Sequence, residues 1–514
     1  MSKKLLRSTG IVGGMTLVSR ILGFLRDMVV AHAFGAGPMV DAFLVAFKIP
    51  NFMRRLFAEG AFSQAFIPIL SEYKTTKSHA EIQLLVNRVS GTLAGILSII
   101  TFLGVIGAPY VISLFAPGFT GEGDERFHLA SDILRWVFPY LLLVSLTAFC
   151  SGILNTYGRF AIPSFTPTLL NIAMICAALL SSHANPPIFS LAFGVLAGGI
   201  LQLVFQLPHL KRINLLPKPA WGWHDSGVRR VIILMGPAVL GASVMQINLM
   251  VDTLFASFLP TGSVTWLYYS ERMLEFPLGT FGVALSTVVL PHLSEKHALK
   301  DSAHFSASID WALKWVLFLG LPAAIGLTAL SFPIMMSLFQ YGAFDVRDAL
   351  MASQSLMALS SGLTLFIGIK VLVSAFYAQQ DTKTPVKIAI IAMLANVVFN
   401  AILIVPFKHA GLALASTLSA AINGGLLLWF LIKQNRYQPT ANWVSTLARV
   451  LLASGLMLVC LIQLVPGERF WVEASGMERV ASLFGLIFGG MGVYLIALWC
   501  LGFRGKHLII SQNC

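Results

Sequence analysis

Apolar stretches of about twenty residues or more, each long enough to cross a bilayer as a helix, recur along the whole chain between short polar segments. We read fourteen such spans, at about 8–34, 39–72, 86–116, 128–156, 162–182, 188–208, 228–258, 264–293, 306–338, 349–378, 386–406, 410–432, 444–465 and 479–501. The pattern predicts an all-α polytopic membrane protein. The second span is too long for a straight crossing and holds Pro50, which predicts a break or tilt there.

Composition agrees. Of 514 residues, 57% are hydrophobic and 11% are charged, against about 25% charged in a soluble domain. The basic start "MSKKLLR" leads into a long span and lacks the short apolar core and small-residue cleavage site of a signal peptide. The five cysteines, Cys150, Cys176, Cys460, Cys500 and Cys514, form no Cys-x-x-Cys pair. Four lie in apolar runs, which predicts small core residues and neither a disulfide framework nor a metal site.

The net charge of +13 has a topological reading. With the N-terminus in the cytoplasm, the inner segments hold twenty cations: Lys3, Lys4, Arg7, Lys74, Lys77, Arg88, Arg159, Lys211, Arg212, Lys218, Arg229, Arg230, Lys296, Lys300, Lys383, Lys387, Lys433, Arg436, Arg504 and Lys506. The outer segments hold five: Arg126, Arg347, Lys408, Arg469 and Arg479. This positive-inside bias places both termini in the cytoplasm and makes nucleic acid an unneeded partner.

The chain also repeats itself. "RDMVVAHAFGAG" (26–37) resembles "VDTLFASFLPTG" (251–262), so that Asp27 matches Asp252 and Gly37 matches Gly262. "IPILSE" (67–72) matches "LPHLSE" (290–295), "VISLFAPGF" (111–119) resembles "MMSLFQYGAF" (335–344), and Pro163 meets Pro385. Each repeat holds six spans, an even number, so both halves enter the membrane in the same orientation. Such lobes are related by an axis along the membrane normal, with a substrate site expected between them near the midplane. The organisation expected is an N-terminal lobe (1–212), a cytoplasmic linker (213–227), a C-terminal lobe (228–436) and two extra helices (437–514). The arrangement favours a transporter that rocks one lobe against the other.

Candidate chemistry lies inside the spans. On span 1, Thr16, Ser19, Arg20, Gly23, Arg26 and Asp27 fall within one arc of about 120° on a helical wheel, and apolar residues fill the rest. A charge at the bilayer centre costs at least about 2.5–3.5 kcal/mol, so this face needs a wet or protein-lined cavity. Span 2 adds Asp41, Lys48, Arg54, Arg55 and Glu59; span 8 adds Glu271, Arg272 and Glu275; span 10 adds Lys370. Internal ion pairs are the plain alternative: Arg55–Glu59 and Arg272–Glu275 have pairing spacings, and Arg20 lies nearly above Asp27. Arginine nevertheless makes bidentate bonds to phosphate and stays charged when partly desolvated. A cavity lined by it suits an anionic head group, a diphosphate above all.

"SRILGFLRD", "GAGPMVDAFLVAFKIPNFMRRLFAEGAFSQAFIPILSEYK", "FAPGF", "IPSFTPTLLN", "YYSERMLEFPLG", "SLFQYGAF" and "QDTKTPVK" resemble the MurJ-type lipid II flippases. These form the mouse-virulence-factor branch of the multidrug/oligosaccharidyl-lipid/polysaccharide exporter superfamily. The likeness runs from about residue 5 to 435. It implies transfer of lipid II, undecaprenyl-diphosphate disaccharide pentapeptide, from the inner to the outer leaflet of the bacterial cytoplasmic membrane by alternating access, without catalysis. It implies a V of two six-helix lobes around a cationic cavity, with the last two helices lining a groove for the lipid tail. The family's essential arginines fall on Arg20, Arg26, Arg54 and Arg272 and an essential aspartate on Asp41. Asp27, Lys48, Arg55, Glu59, Glu275 and Lys370 are expected as gating or cavity partners. No metal or cofactor is expected; a membrane potential or ion gradient would drive the cycle, and the protein would act as a monomer among membrane lipids.

Other classes explain less. A drug or cation antiporter of the same superfamily, or an exporter of another polyprenyl-linked oligosaccharide, shares the two-lobe logic; a cation carrier leaves the arginines unexplained. An enzyme acting on a polyprenyl phosphate needs catalytic groups at the membrane edge. His209, His224 and Asp225 of the loop 209–227 lack ligand spacing. A scaffold would have no use for arginines inside the membrane.

Overall fold

The structure is a computed structural model that describes residues 3–56, 62–121, 123–440 and 442–503. These residues form helices and connecting turns, with no strand among them. By internal contacts the chain divides into two compact units, Met1–Val264 and Thr265–Cys514.

The first unit holds α1 (Lys3–Phe34), α2 (Pro38–Met53), α3 (Ser63–Thr76), α4 (His79–Ile106), α5 (Ala108–Phe115), α6 (Glu125–Val137), α7 (Tyr140–Thr156), α8 (Ala161–Leu179), α9 (Phe189–Lys211) and α10 (Ser226–Ser257). α1 packs along α8, α8 along α9, and α2 along α6. Local chemistry sets the ends. Ser78 and Glu81 form a capping box at the start of α4, and Asp225 caps α10 through the N–H groups of Gly227 and Val228. In the second span α2 runs through Pro50 and ends at Met53, and α3 resumes at Ser63; residues 57–61 lie outside the described residues.

The core of this unit gathers Phe62, Phe66 and Phe149 with Leu85, Val86 and Ile153. Phe66 lies 5.1 Å from both Phe62 and Phe149, centroid to centroid. Leu215 of the linker and Val228 and Val231 of α10 belong to the same core. The connection after α9 is therefore packed structure, and its backbone follows α4 closely.

The second unit holds α11 (Ser263–Pro277), α12 (Val283–Ala298), α13 (Ser302–Ala329), α14 (Ser331–Leu338), α15 (Val346–Ser360), α16 (Leu363–Tyr377), α17 (Lys383–Lys433), α18 (Trp443–Leu464), α19 (Glu468–Glu473) and α20 (Gly476–Cys500). α17 is two helices joined at a kink, where Lys408 has φ 50°. Pro277 ends α11, and residues 278–282 form a wide, π-type turn before α12. Among the described residues, nine helical stretches are long and apolar enough to cross a membrane, and a tenth if α15 and α16, bent by 43°, form one span. Large apolar side chains such as Phe102, Leu103, Val405 and Ile462 stand exposed on these helices, as lipid-facing surfaces require.

The last helices are pinned to the second unit at three levels. Asp310 of α13 accepts from the Tyr437 hydroxyl (2.9 Å), the Thr440 hydroxyl (3.0 Å) and the Trp443 indole, and pairs with Lys314 (2.7 Å). Burial, with the Asp310 carboxylate beside it, pushes the Tyr437 phenol upward. The Tyr494 hydroxyl donates to Phe318 O (2.8 Å). Arg479 donates to Val472 O (2.9 Å) and to Gln340 Oε1. Asp310→Ala strips a buried carboxylate from four partners and leaves Lys314 uncompensated. Breaking such a buried pair costs about 3–5 kcal/mol. The expected result is a clearly lower unfolding midpoint in detergent; an unchanged midpoint would remove Asp310 from this anchoring role.

The cysteines depart from the sequence reading. Cys150 is buried, but Cys176 and Cys500 are exposed and Cys460 is half-buried. An apolar run in a membrane protein has a lipid-facing side as well as a core side, and hydropathy does not separate the two. Cys514 lies outside the described residues.

Candidate substrate-binding site

α1 packs against α8 through the Arg26–Asp27 part of its polar arc. Arg26 and Asp27 are buried there, while Leu17, Val18, Ile21 and Leu25 of the apolar arc are exposed. Arg26 binds Asp27 Oδ1 through Nη2 (2.6 Å) and Nε (3.0 Å), and donates from Nη1 to Asn171 Oδ1 (3.2 Å). Asn171 in turn donates to Ser19 O (3.0 Å). Asp27 thus pairs with its chain neighbour Arg26, although Arg20 stands nearly above it on the helical wheel. Arg20 is exposed.

Asp41 sits in the first turn of α2 with no exposed surface. It accepts from Gly262 N–H (2.7 Å) and lies 3.8 Å from Arg126 Nη1. Gly262 has φ +95°, a backbone conformation suited to glycine, so this turn can aim its N–H at the carboxylate. Arg126 also grips Asp124 (2.6 Å) and covers the Phe119 ring (4.3 Å). Asp41 therefore ties together the starts of α2 and α6 and the turn after α10.

The remaining cations are more accessible. Lys48 Nζ donates to Thr253 Oγ1 of α10 (3.1 Å), one residue from Asp252. Arg54, at the end of α2, donates to Asn51 Oδ1 (3.3 Å), and Arg55 beside it is exposed. Glu59 lies outside the described residues, and with it the expected Arg55–Glu59 pair. In the second unit Arg272 pairs with Glu275 (2.7 Å), as the i,i+3 spacing predicts, and approaches the Tyr268 ring (5.8 Å). Lys370 of α16 runs its stem past Gly282: a Cβ there would stand 2.9 Å from Lys370 Cδ. The wide turn at 278–282 thus makes room for a lysine.

The structure therefore sorts the predicted site residues by environment. Arg26, Asp27 and Asp41 are buried in polar clusters. Arg20, Lys48, Arg54, Arg55, Arg272 and Lys370 keep accessible surface, whereas Arg26 would reach a ligand phosphate only if its cluster opened. Asn171, Arg126 and Thr253 complete the clusters and were not singled out in the sequence, because they join the charges from distant helices. Among the described residues no group of His, Cys, Asp and Glu side chains is placed to hold a metal ion. Of the loop trio, Asp225 is taken by Arg88 and by the α10 cap, and His209 Nδ1 meets Phe205 O (3.1 Å).

A many-helix membrane fold with cations set into its spans has known counterparts. A solved inward-facing multidrug resistance MATE family transporter of the MOP superfamily shares the fold, with a TM-score of 0.64 at 15% identity, over 80% of this chain and 94% of that one. The chain belongs to the lipid II flippase MurJ family, whose sequence model matches residues 30–488. A probable lipid II flippase MurJ from Haemophilus influenzae is 46% identical over 97% of this chain and 100% of its own length. A solved lipid II flippase MurJ in an inward closed conformation superposes with a TM-score of 0.79 at 29% identity, covering 95% of this chain and 97% of that one.

Proposed function

We propose that this chain carries lipid II from the inner to the outer leaflet of the bacterial cytoplasmic membrane for peptidoglycan synthesis, by alternating access. The carrying observation is the near-complete, 46% identical match to a relative described as a probable lipid II flippase. The arginines within the spans supply a chemical reason. Arg20, Arg26, Arg54 and Arg272 serve the diphosphate, with Asp41 holding the first-lobe framework and Lys48, Arg55, Glu59, Glu275 and Lys370 tuning the cavity. The even-numbered repeat supports two lobes, 1–212 and 228–436, and the two helices after residue 437, with Leu452, Leu456, Phe488 and Leu495 exposed, would line a lipid-tail groove. The loop charges favour fourteen crossings with both termini in the cytoplasm, and the two helices within α17 agree with separate eleventh and twelfth spans.

Depletion in cells tests the function: lipid II should accumulate in the inner leaflet, and normal outward transfer after depletion would refute the reading. Topology is tested separately. A reporter fused after residue 435 should read cytoplasmic, and one placed within 341–348 should read periplasmic; the same reading from both would overturn the crossing pattern.

A further inference from the structure

The connection between α9 and α10 is docked against α4 by fixed contacts. Ala220 N–H donates to Asn87 O (3.0 Å), Lys218 N–H to Asn87 Oδ1 (2.8 Å), and Gly222 N–H to Thr92 Oγ1 (3.1 Å). Arg88 pairs with Asp225. Glycines permit the approach: a Cβ on Gly91 would stand 2.3 Å from Ala220 O, and one on Gly95 would stand 2.6 Å from the Trp221 ring.

This docked strap turns two indoles outward. Trp221 is 62% exposed and Trp223 46% exposed. Their rings lie 6.3 Å apart and within 13° of parallel. Lys211, Arg212, Lys218 and Arg229 are exposed on the same connection and on the start of α10. The nearby carboxylates are already engaged, Asp225 by Arg88 and Glu72 by Arg230.

Two helices place this surface at one depth. On α4 the side chains change from Arg88 to exposed Ile99, Phe102 and Leu103, and Trp221 lies over Gly95 between them. On α10 they change from exposed Arg229 and Arg230 to exposed Ile233 and Leu234. The indoles thus sit where polar surface gives way to apolar surface. Tryptophan favours this headgroup level, and nearby lysine and arginine attract anionic lipid.

We propose that residues 211–229 form an interfacial strap that binds anionic phospholipid headgroups in the leaflet on its own side of the membrane. Trp221 and Trp223 rest at headgroup depth, and Lys211, Arg212, Lys218 and Arg229 bind the lipid phosphates.

The test uses the full chain in vesicles containing phosphatidylcholine and phosphatidylglycerol, one of the two brominated near the carbonyl end of its acyl chains. Subtracting the quenching of a W221F/W223F variant from that of the wild type isolates the indole pair. Brominated phosphatidylglycerol should quench the pair about twofold more than brominated phosphatidylcholine at the same mole fraction. A K211Q/R212Q/K218Q/R229Q variant should equalise the two lipids while still being quenched. Absence of quenching by either lipid, as for indoles in water or under a protein partner, would overturn the proposal. Equal quenching of the wild type by both lipids would overturn it too.

Discussion

Arg272→Ala is expected to abolish complementation of a depleted strain while the protein still folds and inserts. The reasoning rests on magnitude. Arg272 pairs only one helical turn away, its side chain 31% exposed and that of Glu275 54% exposed. Helix pairs at this spacing contribute about 0.2–0.5 kcal/mol, too little for the loss of this pair alone to unfold a protein. A severe defect at an unchanged membrane level would therefore report on more than the loss of this pair. Glu275→Ala added to Arg272→Ala should not restore function, although it removes the carboxylate left behind. Arg272→Lys keeps the charge and loses the planar fork, so it should retain partial function at best. Membrane levels checked by blotting separate function from abundance. Full rescue by the double variant would refute a phosphate role for Arg272.

Arg26→Ala should behave differently, with a large loss of folded protein. Its partner Asp27 is almost wholly buried, and removing one member of a buried pair costs about 3–5 kcal/mol. Replacing the pair by apolar groups of similar volume is often neutral or stabilising. Arg26→Met with Asp27→Leu should therefore recover folded protein. If Arg26 also serves the diphosphate, that variant inserts normally and fails to complement. Complementation by it would limit Arg26 to packing. The two arginines thus need opposite experiments, since one is buried in a cluster and the other keeps an accessible guanidinium.

Sequence periodicity disclosed the side of α1 on which Arg26 and Asp27 are buried, because a helix must keep its charges off lipid; Thr16 and Arg20, nearer the start of the same arc, are exposed. It also disclosed the Arg272–Glu275 pair, because that contact is local. It did not disclose that Arg26 meets Asn171, 145 residues away, since nothing along one helix records what packs against it. Arg126 illustrates the same limit: counted as an outer-loop charge, it is buried against Phe119 and Asp41. Asp41 was legible as a buried charge, but its link to Gly262 depends on a turn that closes only in three dimensions. Polar composition identifies 213–227 as a linker but not its docking on α4, which depends on Gly91 and Gly95, whose missing side chains leave no mark in hydropathy.

The three-level attachment of the last helices also sets a rule for exchanging parts between relatives. Residues 437–503 look like a detachable appendage in the linear order, since they lie outside the repeat. Their attachment points, however, lie upstream, within the repeat: Asp310 and Lys314 near one end, Phe318 along the way, and Gln340 at the other. A chimera that imports a foreign tail onto this body would strand those groups unless their counterparts travel with it. The smallest transplantable module therefore begins at α13, well upstream of the segment that a designer would cut by eye.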